Sequence, residues 1–187
     1  MKVRNFFFAG ALIAASLFSV NSVMAQTTPS ETDQVTVNIK LNPIQAILVN
    51  PTQDEVDIVY DGINDYENGV ATDFLTEHLS VFSAGPFAVS VKVNGNFSVG
   101  TNTIDANNVT IIPTLSGGVT DLVVLRSVSL TTIDQPIITS TVGGNGLKYD
   151  IKYDNTAGRN FTYMPKYTQE SGTQTYSATV TYSITAS

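Results

Sequence analysis

From Gln34 onward apolar and polar residues alternate with a period of two, the mark of strands that bury one face. The run QVTVNIKL places Val35, Val37, Ile39 and Leu41 on one side and Thr36, Asn38 and Lys40 on the other. Asn42-Pro43 interrupts it, and 44–49 continues as a more uniformly apolar stretch. Further runs occupy 56–60, 79–83, 87–93, 97–99, 109–112, 122–131, 137–142 and 147–153. Asn94-Gly95 predicts a hairpin turn into the strand that begins at Phe97. The last run is the cleanest, with Tyr176, Ala178, Val180, Tyr182 and Ile184 facing one way and hydroxyl residues the other. Such a strand lies half buried in an antiparallel sheet. Only 70–78 predicts a turn or two of helix, capped by Asp73. About eight to ten short strands, separated by Gly, Pro and Asn turns, predict an all-β, two-sheet antiparallel sandwich forming a single domain over 34–187.

The first 25 residues read differently. Lys2 and Arg4 precede an apolar run over 6–20, and Val23-Met24-Ala25 supplies small residues for cleavage, which together predict a secretory signal peptide over 1–25. The run is shorter than the roughly 20 residues a spanning helix needs. QTTPSETD, 26–33, predicts a disordered polar lead. The expected product is exported, to the periplasm, cell surface or extracellular space, without an integral membrane anchor. An eight-stranded outer-membrane barrel would have a similar length, but its strands need about ten residues each. The 56–60 run is shorter, and prolines at 43, 86, 113, 136 and 165 punctuate the others.

Composition narrows the chemistry. The 187 residues include 9 basic and 16 acidic groups, for a net charge of −7. Removing 1–25 takes away Lys2 and Arg4 and no acid, leaving −9. That balance argues against nucleic acid, whose phosphates are neutralised by clustered Lys and Arg. With no cysteine, thiol catalysis and cysteine-ligated metals are excluded, and packing and sheet hydrogen bonds must hold the exported fold. Beyond residue 25 stand 24 Thr and 18 Val, β-branched residues suited to a pleated sheet.

No catalytic motif emerges, and a non-enzymatic role is expected. His78, the single histidine, has no recognisable nucleophile context around it and reads as a polar residue at a strand entrance. Half of the acids fall within 54–77, with no Lys or Arg among them. Within that cluster Asp61, Asp65 and Glu67 are candidate calcium ligands, calcium being the one cofactor the sequence leaves open, since zinc would need clustered His or Cys. The stretch 61–69 fails the EF-hand spacing, however, because Ile63 and Tyr66 stand where a ligand and Gly are required. A solvated acidic loop is the simpler interpretation. Six of the eight tyrosines lie at 149, 153, 163, 167, 176 and 182. In LKYDIKYD the alternating charges belong in water, which turns Tyr149, Ile151 and Tyr153 inward. Tyr176 and Tyr182 share the apolar face of the last strand, leaving Tyr163 and Tyr167 as candidate ligand contacts, for a glycan above all.

The stretch VTVNIKLNPIQAILV, 35–49, resembles the mature N-terminus of alternate chaperone–usher pilins of Gram-negative bacteria. There an alternating segment runs into Asp/Asn-Pro and then an apolar strand. The ending YSATVTYSITAS is similar to the closing strand of pilins and other bacterial surface sandwiches. The resemblance implies an immunoglobulin-like, pilin-like sandwich and a structural or adhesive role at the cell surface, as in a fimbrial subunit. It further implies that Val35, Val37, Ile39 and Leu41 form a donor strand filling a neighbouring subunit, with Asn42-Pro43 as hinge. The implied partners are other copies of the chain, a periplasmic chaperone and an usher. Two alternatives stand beside it: 35–41 as the domain's own first strand, and a glycan- or calcium-binding sandwich module.

Overall fold

In the computed structural model, residues 32–117, 122–170 and 172–187 are described. The predicted signal peptide, 1–25, and 26–31 of the polar lead lie outside them. The chain divides into two compact units, and the one that carries the fold is Lys40–Ser187. Its strands in chain order are β1 (Gln45–Val49), β2 (Val70–Ala71), β3 (Leu75–Ser83), β4 (Phe87–Val93), β5 (Phe97–Val99) and β6 (Asn102–Ile104). They continue with β7 (Thr110–Leu115), β8 (Val123–Leu125), β9 (Val128–Ser129), β10 (Gln135–Ser140), β11 (Gly144–Asn155) and β12 (Val180–Ala186). Among the described residues one short α-helix, α1, spans Ile63–Asn68.

Two antiparallel sheets form the all-β sandwich. One has the order β1-β3-β11-β7-β9, with β2 also on β11; the other runs β12-β4-β10-β8. The hairpin β5–β6 is separate. Alternation explains the layering. In β4, Phe87, Val89, Val91 and Val93 are buried and the residues between them are not. They pack against Leu79 and Val81 of β3, Ile111 of β7 and Tyr149 and Ile151 of β11, so both sheets contribute to one core. The tyrosines at 149 and 153 point inward as the charge pattern requires. In β10 a register shift after Pro136 lets consecutive Ile137 and Ile138 both be buried, as a bulge allows.

Several local expectations are corrected. Residues 32–44 carry no secondary structure, so the first strand is β1 and not 35–41. The stretch 70–78 belongs to β2 and β3, and the helix lies earlier, where the Asp65 carboxylate accepts the backbone N–H groups of Asp61 (3.0 Å) and Gly62 (2.8 Å) and closes the first turn. Asn94-Gly95 does not close a hairpin: β4 pairs with β10 and β12, while the Asn94 backbone N–H and Oδ1 bond to Thr179. Residues 56–60 keep alternating burial but form no strand.

His78 stands inside β3, 1% exposed, instead of at its entrance. One ring nitrogen lies 3.0 Å from the Gln53 side-chain oxygen and the other 3.1 Å from the Tyr153 hydroxyl. Tyr153 in turn meets the Tyr182 hydroxyl at 2.8 Å, so this chain of hydrogen bonds crosses from one sheet to the other. Neutral imidazole fits it: Nδ1–H donates to Gln53, and Nε2 accepts from Tyr153. Burial pushes the His78 pKa below its ordinary value of 6.5. The unfolded chain therefore binds this proton more readily, and stability falls as pH drops below about 6.5. His78→Gln should flatten the stability profile between pH 7 and 5, measured by urea unfolding; an unchanged slope would assign the acid sensitivity elsewhere. Tyr149 has the opposite defect, a buried hydroxyl with no partner among the described residues. Tyr149→Phe should raise stability by about 1 kcal/mol, read as an upward shift in Tm.

Candidate binding groove

A groove of about 530 Å³ opens at the end of the sandwich where β7 begins and β11 ends. One wall is the segment 56–61. Val56, Ile58 and Tyr60 are the more buried residues, while Asp57, Val59 and Asp61 are exposed. The other wall is 172–176, whose continuation hooks onto the β5–β6 hairpin through two backbone bonds between Ser98 and Ser177, of 3.1 and 3.2 Å. Phe97, Ile104 and Val109 form an apolar floor.

The backbone distinguishes this groove from a surface dent. The N–H and C=O groups of 56–60 make no hydrogen bond within the described residues, and neither do those of 173–176. Both segments are half exposed, so water can pair with these groups.

Side chains hold the trough open. The Tyr60 hydroxyl lies 2.7 Å from Asn155 Oδ1 and 2.9 Å from the Asn155 carbonyl oxygen. Asn155 Nδ2 donates to the Asn108 carbonyl (3.0 Å) and to the Tyr163 hydroxyl (2.9 Å). Asn155, the last residue of β11, is 4% exposed and uses both ends of its amide, so it ties the 56–61 wall to the strand ends. The rings of Tyr60 and Tyr66, and of Tyr60 and Tyr163, pack at centroid distances of 5.3 Å in tilted and edge-on geometry. Burial, and after it the neighbouring Tyr163, pushes the Tyr60 phenol well above its ordinary pKa. It stays a neutral donor across the physiological range. The second wall is braced from within: Tyr176 donates to the Lys166 carbonyl at 2.7 Å and Tyr167 to the Gly172 carbonyl at 2.7 Å.

Asn160 and Phe161 both have positive φ, 57° and 58°. This strained pair turns their N–H groups onto the Glu67 and Tyr66 carbonyls, satisfying the C-terminal end of α1 and fastening the 160s loop beside the groove.

The two tyrosines singled out by sequence both line this groove, with different exposure. Tyr163 is 7% exposed and belongs to the Asn155 network; Tyr167 is 43% exposed. Asp61, Asp65 and Glu67 are not drawn into one ligand set. Asp65 caps α1, and among the described residues no group of three or more His, Asp or Glu side chains converges on a metal-sized space. Val35, Val37, Ile39 and Leu41 are 78 to 88% exposed, with no strand partner. Sequence reasoning missed Tyr60, Asn155 and Gly158. The alternation over 56–60 was the available signal, since it places Tyr60 inward at the end of an apolar face.

A scan against protein-family models and a search of curated proteins found no match to this chain. Among the described residues no helix is long and apolar enough to cross a membrane.

Gly158 provides a direct probe of the groove. A β-carbon there would run into the Tyr60 hydroxyl and the Tyr163 ring. Gly158→Ala should cost roughly 1–3 kcal/mol by overpacking and change the near-ultraviolet circular dichroism of the tyrosine cluster. A variant with wild-type Tm and spectrum would show that the cluster yields freely.

Proposed function

We propose that this protein is an exported, non-enzymatic structural or adhesive component of a bacterial surface that assembles copy to copy, in the manner of a fimbrial subunit. The observation that carries this reading is the exposed apolar face of 35–41. Four aliphatic side chains at alternate positions stand in solvent ahead of a sandwich that does not use them as a strand. A soluble chain gains nothing from such a face alone, and an extended segment of this kind suits insertion beside an open sheet edge, where backbone bonds give affinity and alternate side chains give specificity. Burying four aliphatic side chains at ~1.5–3 kcal/mol each would make a tenacious joint.

The groove at the end of the sandwich supports the same reading from the receiving side. Its two walls offer unpaired backbone and its floor is apolar. Residues 35–41 of one copy would enter the groove of the next, with Asn42-Pro43 as the hinge between segment and sandwich. A periplasmic chaperone would cover the groove before assembly and an usher would order the exchange. The sequence resemblance over 35–49 points to these partners.

Protein lacking 26–41 should keep an empty groove and gain stability when a synthetic 34–43 peptide is supplied in trans. At a hundredfold excess over Kd the gain is about 2.7 kcal/mol, visible as a clear rise in Tm. A Tm unmoved by saturating peptide, while a scrambled peptide behaves identically, would overturn donor insertion.

A further inference from the structure

We infer that Asn145 is a site of spontaneous covalent modification, where the side-chain amide is lost through a cyclic imide closed by the backbone nitrogen of Gly146. The products are aspartate and isoaspartate. The site lies outside the groove lining, and its chemistry does not depend on the proposed assembly.

The reaction needs an asparagine followed by a residue whose nitrogen is unhindered, and glycine, with no Cβ, hinders it least. The Gly146 nitrogen gives its proton to hydroxide and attacks the Asn145 side-chain carbonyl carbon. A C–N bond forms there, the bond to the amide nitrogen breaks, and that nitrogen leaves as ammonia with a proton from water. Water then opens the imide ring. Opening at the former side-chain carbonyl gives aspartate; opening at the main-chain carbonyl gives isoaspartate, whose chain runs on through the side chain. In sum, asparagine and water become an acid and ammonia, and nothing is oxidised or reduced.

The sequence holds three Asn-Gly pairs, at 68–69, 94–95 and 145–146. The fold holds two of them back. Asn68 ends α1, and its Nδ2 donates to the Asn64 carbonyl (3.1 Å) and side-chain oxygen (2.9 Å). The Gly69 N–H, which would have to attack, donates to the Asp65 carbonyl at 2.8 Å, and the Thr156 backbone crowds the same glycine. Asn94 Oδ1 accepts the Thr179 N–H at 2.9 Å, while the Asn94 N–H donates to the Thr179 carbonyl at 3.0 Å. Ring closure at 94 would have to pull this clasp apart.

Nothing comparable restrains the third pair. Asn145 and Gly146 are both exposed, and the Asn145 side chain makes no hydrogen bond among the described residues. They sit where the β11 ladder to β3 breaks: partners step from Gly144 and Ser83 to Leu147 and Val81, three residues against two, as at a bulge. On the other flank, pairing with β7 begins only at Tyr149. Gly146 has a left-handed φ of 64°, with open space where a Cβ would stand. Closing the imide requires Asn145 to rotate out of its extended conformation. Within a paired strand that motion breaks ladder bonds, whereas at this bulge it needs only a local opening.

The test is peptide mapping by mass spectrometry of the folded whole protein, incubated at mildly alkaline pH and sampled over time. Asn145 should convert roughly ten-fold faster than Asn94 or Asn68, the factor that one retained hydrogen bond supplies, and isoaspartate should be among its products. In urea, with the fold removed, the three rates should converge. Asn145→Gln should abolish the fast acidic species seen on isoelectric focusing and leave Tm unchanged. Equal rates in the folded protein, or Asn94 or Asn68 converting first, would overturn the assignment. So would an Asn145 that reacts only in urea, an ordering that persists there, or a fast acidic species that survives in Asn145→Gln.

Discussion

A β-strand is stable only when its backbone donors and acceptors are paired, and that requirement organises this molecule. The central strands meet it on both sides: β11 lies between β3 and β7, and β4 lies between β10 and β12. The edges are handled by brevity on one flank, where β8 and β9 are three and two residues long. Residues 56–60 and 173–176 line the groove without forming a ladder. They are held in place by side chains, and their own backbone has no partner within the described residues. The proposed assembly role is a consequence of that imbalance: a segment that brings backbone bonds and an apolar face would complete what the fold leaves open.

The side chains that hold this opening are not interchangeable with ordinary core. Asn155 is a buried amide satisfied at both ends by Tyr60, Tyr163 and the Asn108 carbonyl. Removing any member would strand a buried polar group, which costs more than the bond itself is worth. Gly158 is required because the two tyrosines close over it. The left-handed pair Asn160 and Phe161 stores strain next to the same site and spends it on fastening α1. A rigid trough of this kind would lose little entropy on receiving an extended chain.

Much of the fold is legible in the sequence because a two-residue period and a buried face are the same fact. The inward tyrosines of β11 follow from the alternating Lys and Asp beside them, and the β4 face follows from Phe87 to Val93 without reference to any partner. What alternation cannot give is pairing. The 56–60 run has the pattern of a strand and the burial of one, yet has no ladder. The Asn94-Gly95 turn signal is overridden because β4 finds better partners far along the chain in β10 and β12. The helix falls before the stretch the pattern predicts for a related reason: α1 depends on Asp65 reaching back to two backbone N–H groups, while 70–78 is claimed by long-range pairing with β11. The groove was the least legible feature. Tyr60, Asn155 and Tyr163 are separated by up to 103 positions and are united only by the way the strand ends converge.

Amide hydrogen exchange across the concentration range of self-association tests the central claim most directly. Donor insertion predicts that the amides of 56–60 and 173–176 exchange rapidly in dilute protein and become strongly protected, together with those of 35–41, once copies assemble. Slow exchange at 56–60 and 173–176 in the monomer, or protection on assembly that bypasses these segments, would contradict it.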